Sequence, residues 1–175
     1  MPFEPSGFLA TEFDDTTGRV LRTIQAAGVT DEEIEEDQDF TVTLLMEVGK
    51  NHPSIPPKEV IEAMDLAFIG LLVHRHLPYK DADTGALYHP EIEPNNYTFT
   101  ASVLVNMLIE EFAVPVADID ATVNEASERA IRHMRPPTSF TDEGLALHTH
   151  VMALFVIGLL THRFMPTTET PPDHQ

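Results

Sequence analysis

Cysteine and tryptophan are both absent from this 175-residue chain. Without cysteine there is no disulfide staple, thiolate zinc site, cysteine nucleophile or thiol redox chemistry. A chain of this length buries roughly 70% of the surface its unfolded form exposes, so it suits one domain that needs no staple. Basic residues are also scarce: three lysines and seven arginines stand against 29 acids, a formal net charge of −19. Too few cations remain to neutralise a phosphate backbone, so direct nucleic-acid binding is not expected.

Catalytic motifs are missing as well. There is no Gly-x-Ser-x-Gly elbow, no glycine-rich phosphate loop and no dinucleotide fingerprint. Neither His-Glu-x-x-His nor the Glu-x-x-His of di-iron bundles occurs. The longest uninterrupted apolar runs, 66–73 and 151–160, fall short of the roughly 18 to 20 residues that span a bilayer. They are expected to be buried core helices, with no membrane partner. The first residues, MPFEPSGFLATEF, lack a basic segment followed by a continuous apolar stretch, so a cytoplasmic product, or a component assembled in the cytoplasm, is expected.

What the chain has in abundance is acid. High-salt adaptation would put acid over every surface, whereas a partner with a basic groove would favour a concentrated acidic face. Residues 1–50 hold twelve acids and three bases, and seven of those acids fall between Asp31 and Asp39. The rest is spread along the chain, which favours the first explanation.

The punctuation predicts an all-α fold of six helices. The first runs from about Asp14 to Gly28, a residue suited to a helix end. The second opens on the capping box Thr30/Glu33 and runs to Gly49, with a break expected near Gln38. Prolines at 56 and 57 launch a third that stops at Pro78. A linker, 79–96, carries turn residues and little periodicity. The remaining helices are expected at about 97–112, 117–134 and 141–164, before a disordered tail at 167–175.

The long helices end in FIGLLVHRHLP (68–78) and VIGLLTHRFMP (156–166), identical at seven of eleven positions. Such recurrence predicts two tandem three-helix units, 14–78 and 97–166, related by an internal pseudo-twofold within one domain, 14–166. A glycine inside a buried helix costs about 1 kcal/mol relative to alanine. Its repetition at Gly70 and Gly158 therefore suggests that the two long helices cross there.

The histidines are the only residues that suggest chemistry. His74 and His162 occupy equivalent positions near helix C-termini, where a cation is favoured. With His148, Glu62 or Asp65 they would be the candidates for metal ligands or general bases, but their spacing within each helix does not bring rings together. No metal or other cofactor is expected. The arm at 1–13 carries Phe3, Phe8, Leu9 and Phe13 in a segment interrupted by two prolines and a glycine, which marks it as a contact element. The acids Asp31, Glu32, Glu35 and Glu36 form a second candidate interaction surface.

The motif absences favour a non-enzymatic protein acting through protein–protein contact, as a structural or assembly component or adaptor. Its partner would be another protein or further copies of itself. The alternatives are a helical metal-dependent enzyme using His74, His162 and nearby carboxylates, and an acidic mimic of nucleic acid that blocks a basic groove.

Overall fold

The computed structural model describes residues 11–48, 56–80, 83–89, 92–133 and 142–165. Among them are six helices, α1 (Asp14–Ala26), α2 (Asp31–Val48), α3 (Pro57–His76), α4 (Tyr97–Glu110), α5 (Val116–His133) and α6 (Asp142–Phe164). The fold is all-α. Within the linker, Tyr79 pairs with Tyr88 and Lys80 with Leu87 in a two-residue antiparallel ladder, an extended pairing that the turn-rich sequence did not suggest. Residues 1–10 of the arm and the tail 167–175 lie outside the described residues.

Local chemistry sets the helix ends. Asp14 turns back on Thr11, whose backbone N–H donates to its carboxylate at 3.0 Å. Gly28, at φ 103°, lets the chain leave α1 while Val29 N–H closes on the Ile24 carbonyl at 3.1 Å. Thr30 and Glu33 form the reciprocal capping box, with the Thr30 N–H donating to Glu33 at 2.8 Å and the Glu33 N–H donating to the Thr30 hydroxyl at 3.2 Å. Helix α2 then continues without the expected break at Gln38. No glycine or proline interrupts it before Val48, and its interior face, Ile34, Asp37, Thr41, Leu44 and Leu45, is buried in one continuous stripe. Helix α3 ends because Leu77, which precedes Pro78, turns extended at ψ 122°. The Asn96 side chain caps α4 by accepting from the Phe99 N–H at 3.2 Å.

Helices α3 and α6 form the centre. Helices α1 and α2 pack on α3, while α4 and α5 pack on α6. The central pair meets backbone to backbone. A Cβ added at Gly70 would lie 2.1 Å from the Leu154 carbonyl oxygen, and one added at Gly158 would lie 2.2 Å from the Leu66 carbonyl oxygen. Pairing 70 with 154 and 66 with 158 makes the crossing antiparallel. Leu66, Ile69, Leu71 and Leu72 of α3 and Leu154, Phe155, Ile157, Leu159 and Leu160 of α6 are buried around it. Helix α6 is long and apolar enough to cross a membrane by length and composition, and here it packs against α3, α4 and α5.

Candidate functional site

Each long helix carries its histidine to a pocket built by an aromatic residue and a threonine three positions later. At the end of α3, His74 is buried, its ring 4.5 Å from that of Tyr97. Its Nδ1 lies 2.7 Å from the Thr100 hydroxyl and its Nε2 3.0 Å from the Pro94 carbonyl oxygen. A carbonyl can only accept, so Nε2 bears the proton and Nδ1 accepts from Thr100. Burial pushes the His74 pKa down from its ordinary value, more than the carbonyl pulls it up. At the end of α6, His162 stands 4.8 Å edge-on to the ring of Phe13, with Nδ1 2.7 Å from the Thr16 hydroxyl. It is half-buried, and burial again lowers its pKa.

Beside each histidine an arginine reaches to the neighbouring helix. Arg75 is ion-paired with Asp37 of α2, and Arg163 with Glu125 of α5. The environments differ. The Asp37 side chain is only 4% exposed, against 38% for Glu125. Asp37 is shared with His76, whose Nε2 lies 2.5 Å from the second carboxylate oxygen. The Arg163 hydrogen bond holds the Glu125 carboxyl below its usual range. Glu33, Glu36, Asp37, His74, Arg75, His76 and His89 border a cleft of about 540 Å³.

The antiparallel crossing carries the two histidines to opposite sides. His74 lies level with His150, since both rings pack on Tyr97. Twelve residues of α6 then separate that level from His162, about 18 Å along the axis. His148 points elsewhere, its Nδ1 donating to the Gly144 carbonyl of its own helix at 2.7 Å. Glu62 and Asp65 belong to the His162 side: Asp65 accepts from the Thr11 hydroxyl at 2.6 Å. Burial raises the Asp65 pKa to about 6, against the lowering effect of that hydrogen bond. The structure thus does not bring His74, His162 and His148 together. No group of three or more histidines and acids among the described residues is placed to hold a metal ion.

The other residues singled out from sequence fall as follows. Phe3, Phe8 and Leu9 lie outside the described residues. Phe13 does not belong with them: it precedes the first turn of α1 and is fully buried, packed between the His162 ring of α6 and the Arg129 guanidinium of α5. Asp31, Glu32, Glu35 and Glu36 are solvent-exposed on α2, and Asp31 accepts from the Gln25 side chain at 3.0 Å. Sequence reasoning missed Thr16, Tyr97, Thr100 and the buried role of Asp37. The signal for the first three is the pair Phe13-x-x-Thr16 and Tyr97-x-x-Thr100, each at a helix start. The Tyr97 hydroxyl is buried and has no hydrogen-bond partner among the described residues.

The outer face of α4 was missed as well. Helices α1 and α4 bury matching rows, Thr16, Val20 and Ile24 in one and Thr100, Leu104 and Leu108 in the other. Their outward faces differ. Asp15 and Arg22 are exposed on α1. Phe99 is 50% and Ile109 36% exposed on α4, with Phe112 and Val116 exposed just beyond it. From Tyr97 to Ile109 there is no charged residue. Comparison with protein-family models, with curated proteins and with solved structures returned no match.

Proposed function

We propose that this chain is a non-enzymatic protein that acts in the cytoplasm through protein–protein contact, as an assembly component or adaptor. The observation that carries this reading is the outer face of α4. A soluble protein gains nothing from Phe99 and Ile109 in water, and the matching position on the fold, α1, is served by a polar face. An uncharged face with Phe99 and Ile109 exposed at its ends, on a chain of net charge −19, is a surface kept for contact.

We further propose that the body is two copies of one three-helix unit related by an internal pseudo-twofold. Support comes from reciprocity. Gly70 abuts Leu154 and Gly158 abuts Leu66, a pair of contacts that interchange when 88 is added to the first-half number. The histidine sites are exchanged in the same sense: the α6 histidine is met by α1, and the α3 histidine by the start of α4. Each half thereby completes the polar site of the other.

Photocrosslinking tests the contact function. A benzophenone side chain at Phe99 is expected to form adducts with protein in the native cell, whereas one at the exposed, acidic start of α6, Glu143, is not. Equal labelling at both positions, or none at either, would remove α4 as the contact face.

A further inference from the structure

We infer that the occupant of the α4 face is a second copy of this chain, docked through its own α4 in antiparallel orientation about a twofold axis. This rests on reading α4 as a contact face and names what covers it.

Charge selects the occupant. Two chains of net charge −19 repel wherever their acidic surfaces approach, and a like-charge contact costs more as it is desolvated. A strongly basic partner would settle on the acidic faces of α2 instead. The segment Tyr97–Ile109 is free of charge over thirteen residues, so it is where two such chains can touch without bringing carboxylates together. A twofold contact also needs a patch complementary to itself. Here bulk sits at the ends of the stripe, Phe99 and Ile109, and small or polar side chains, Ser102 and Asn106, sit between them on the same exposed face. An antiparallel pair places Phe99 of one copy against Ile109 of the other. Ser102 then faces Asn106 across the axis, where small side chains let helices approach to about 8 to 10 Å.

Polarity selects the orientation. The first turn of α4 contains no acid, and its C-terminal end carries Glu110 and Glu111, both exposed. In antiparallel pairing each pair of carboxylates lies beside the N-terminus of the other helix, where the dipole favours negative charge. Parallel pairing would gather all four at one end. Glu93, three residues ahead of the Asn96 cap, opposes the antiparallel arrangement, and salt screens that repulsion together with the net charge of the two bodies.

Sedimentation of the purified full chain is the primary test. A dimer is expected in the micromolar range, tightening as salt is raised, and Phe99→Glu is expected to be monomeric with an unchanged thermal melt. Because the chain has no cysteine, Ser102→Cys protein mixed with tagged Asn106→Cys protein should give a mixed disulfide, with neither variant crosslinking efficiently alone. A wild-type monomer at hundreds of micromolar in both low and molar salt would overturn the second copy. If benzophenone at Phe99 still labelled a different protein in cells, α4 would remain the contact face and only its occupant would be wrong. A Phe99→Glu dimer would move the interface elsewhere, and efficient self-crosslinking of Ser102→Cys would refute the antiparallel orientation.

Discussion

Gly70 and Leu154 touch through their main chains: a Cβ at Gly70 would stand 2.1 Å from the Leu154 carbonyl oxygen, a separation no side-chain rotation relieves. Gly70→Ala and Gly158→Ala must therefore force α3 and α6 apart. Overpacking of this kind costs about 1 to 3 kcal/mol, which outweighs the roughly 1 kcal/mol that alanine gains over glycine in a helix. Gly18 supplies the contrast. Its nearest obstacle is the tip of the Arg22 side chain at 3.3 Å, which can swing away, so Gly18→Ala is expected to be neutral or stabilising. Chemical denaturation of the three variants checks the order.

Thr100→Val leaves the buried His74 Nδ1 without its donor, and a stranded buried acceptor costs about 1 to 3 kcal/mol. Thr16→Val makes the same deletion at His162, where partial exposure lets water replace the hydroxyl. The expected result is a clearly larger loss of melting temperature for Thr100→Val, and equal losses would contradict the different burial of the two sites.

Asp65 and the two helix-end histidines, His74 and His162, give opposite pH dependences. With its pKa raised to about 6 from 3.8, Asp65 stays protonated in the fold where the unfolded chain has already ionised. Stability is therefore lost as pH rises from about 4 to 6, by at most roughly 3 kcal/mol at 1.36 kcal/mol per pKa unit. His74 and His162 have lowered values. The unfolded chain takes up protons below 6.5 before the fold does, and stability is lost as pH falls through that range. Asp65→Asn should raise the melting temperature at pH 8, change it little at pH 4, and leave the opposite, histidine-driven slope exposed between about pH 5 and 7.

Asp37 and Glu125 are partners of equivalent arginines and should not be equally valuable. Asp37→Ala empties a buried position and releases both Arg75 and His76, an expected loss of about 2 to 3 kcal/mol after allowing for the partly exposed arginine. Glu125→Ala breaks a solvated pair, for which less than about 1 kcal/mol is expected. A double-mutant cycle with Arg75 and Arg163 separates the pair energies from the truncations.

Helix positions are legible in this sequence because its punctuation is strong: Pro57, Pro78, the Thr30/Glu33 box and Gly28 each act locally, through one turn of chain. Helix partners are not. Thr16 and His162 are 146 residues apart, and nothing in either segment names the other. Asp37 shows the limit within a single element, since it lies inside a run of acids whose other members face water. Only the geometry of α2 against α3 turns it inward to Arg75. The continuity of α2 past Gln38 has the same origin, because a stripe packed on α3 stabilises a helix that propensity alone leaves open to a break. The contact face on α4 escapes notice for the reverse reason. An apolar helix looks like core from sequence, and only burial tells Leu104 from Phe99.

The double contact of Gly70 with Leu154 and Gly158 with Leu66 has a mechanical consequence. Two points of main-chain contact resist sliding of one long helix along the other, since a shift would carry each carbonyl off its glycine and into the side chains beside it. What remains is a small rotation about the crossing, as for two arms of a lever. His74 and His162 each stand about one helical turn beyond their glycines, on opposite sides of that pivot, so a change in the crossing angle would displace both histidine pockets together.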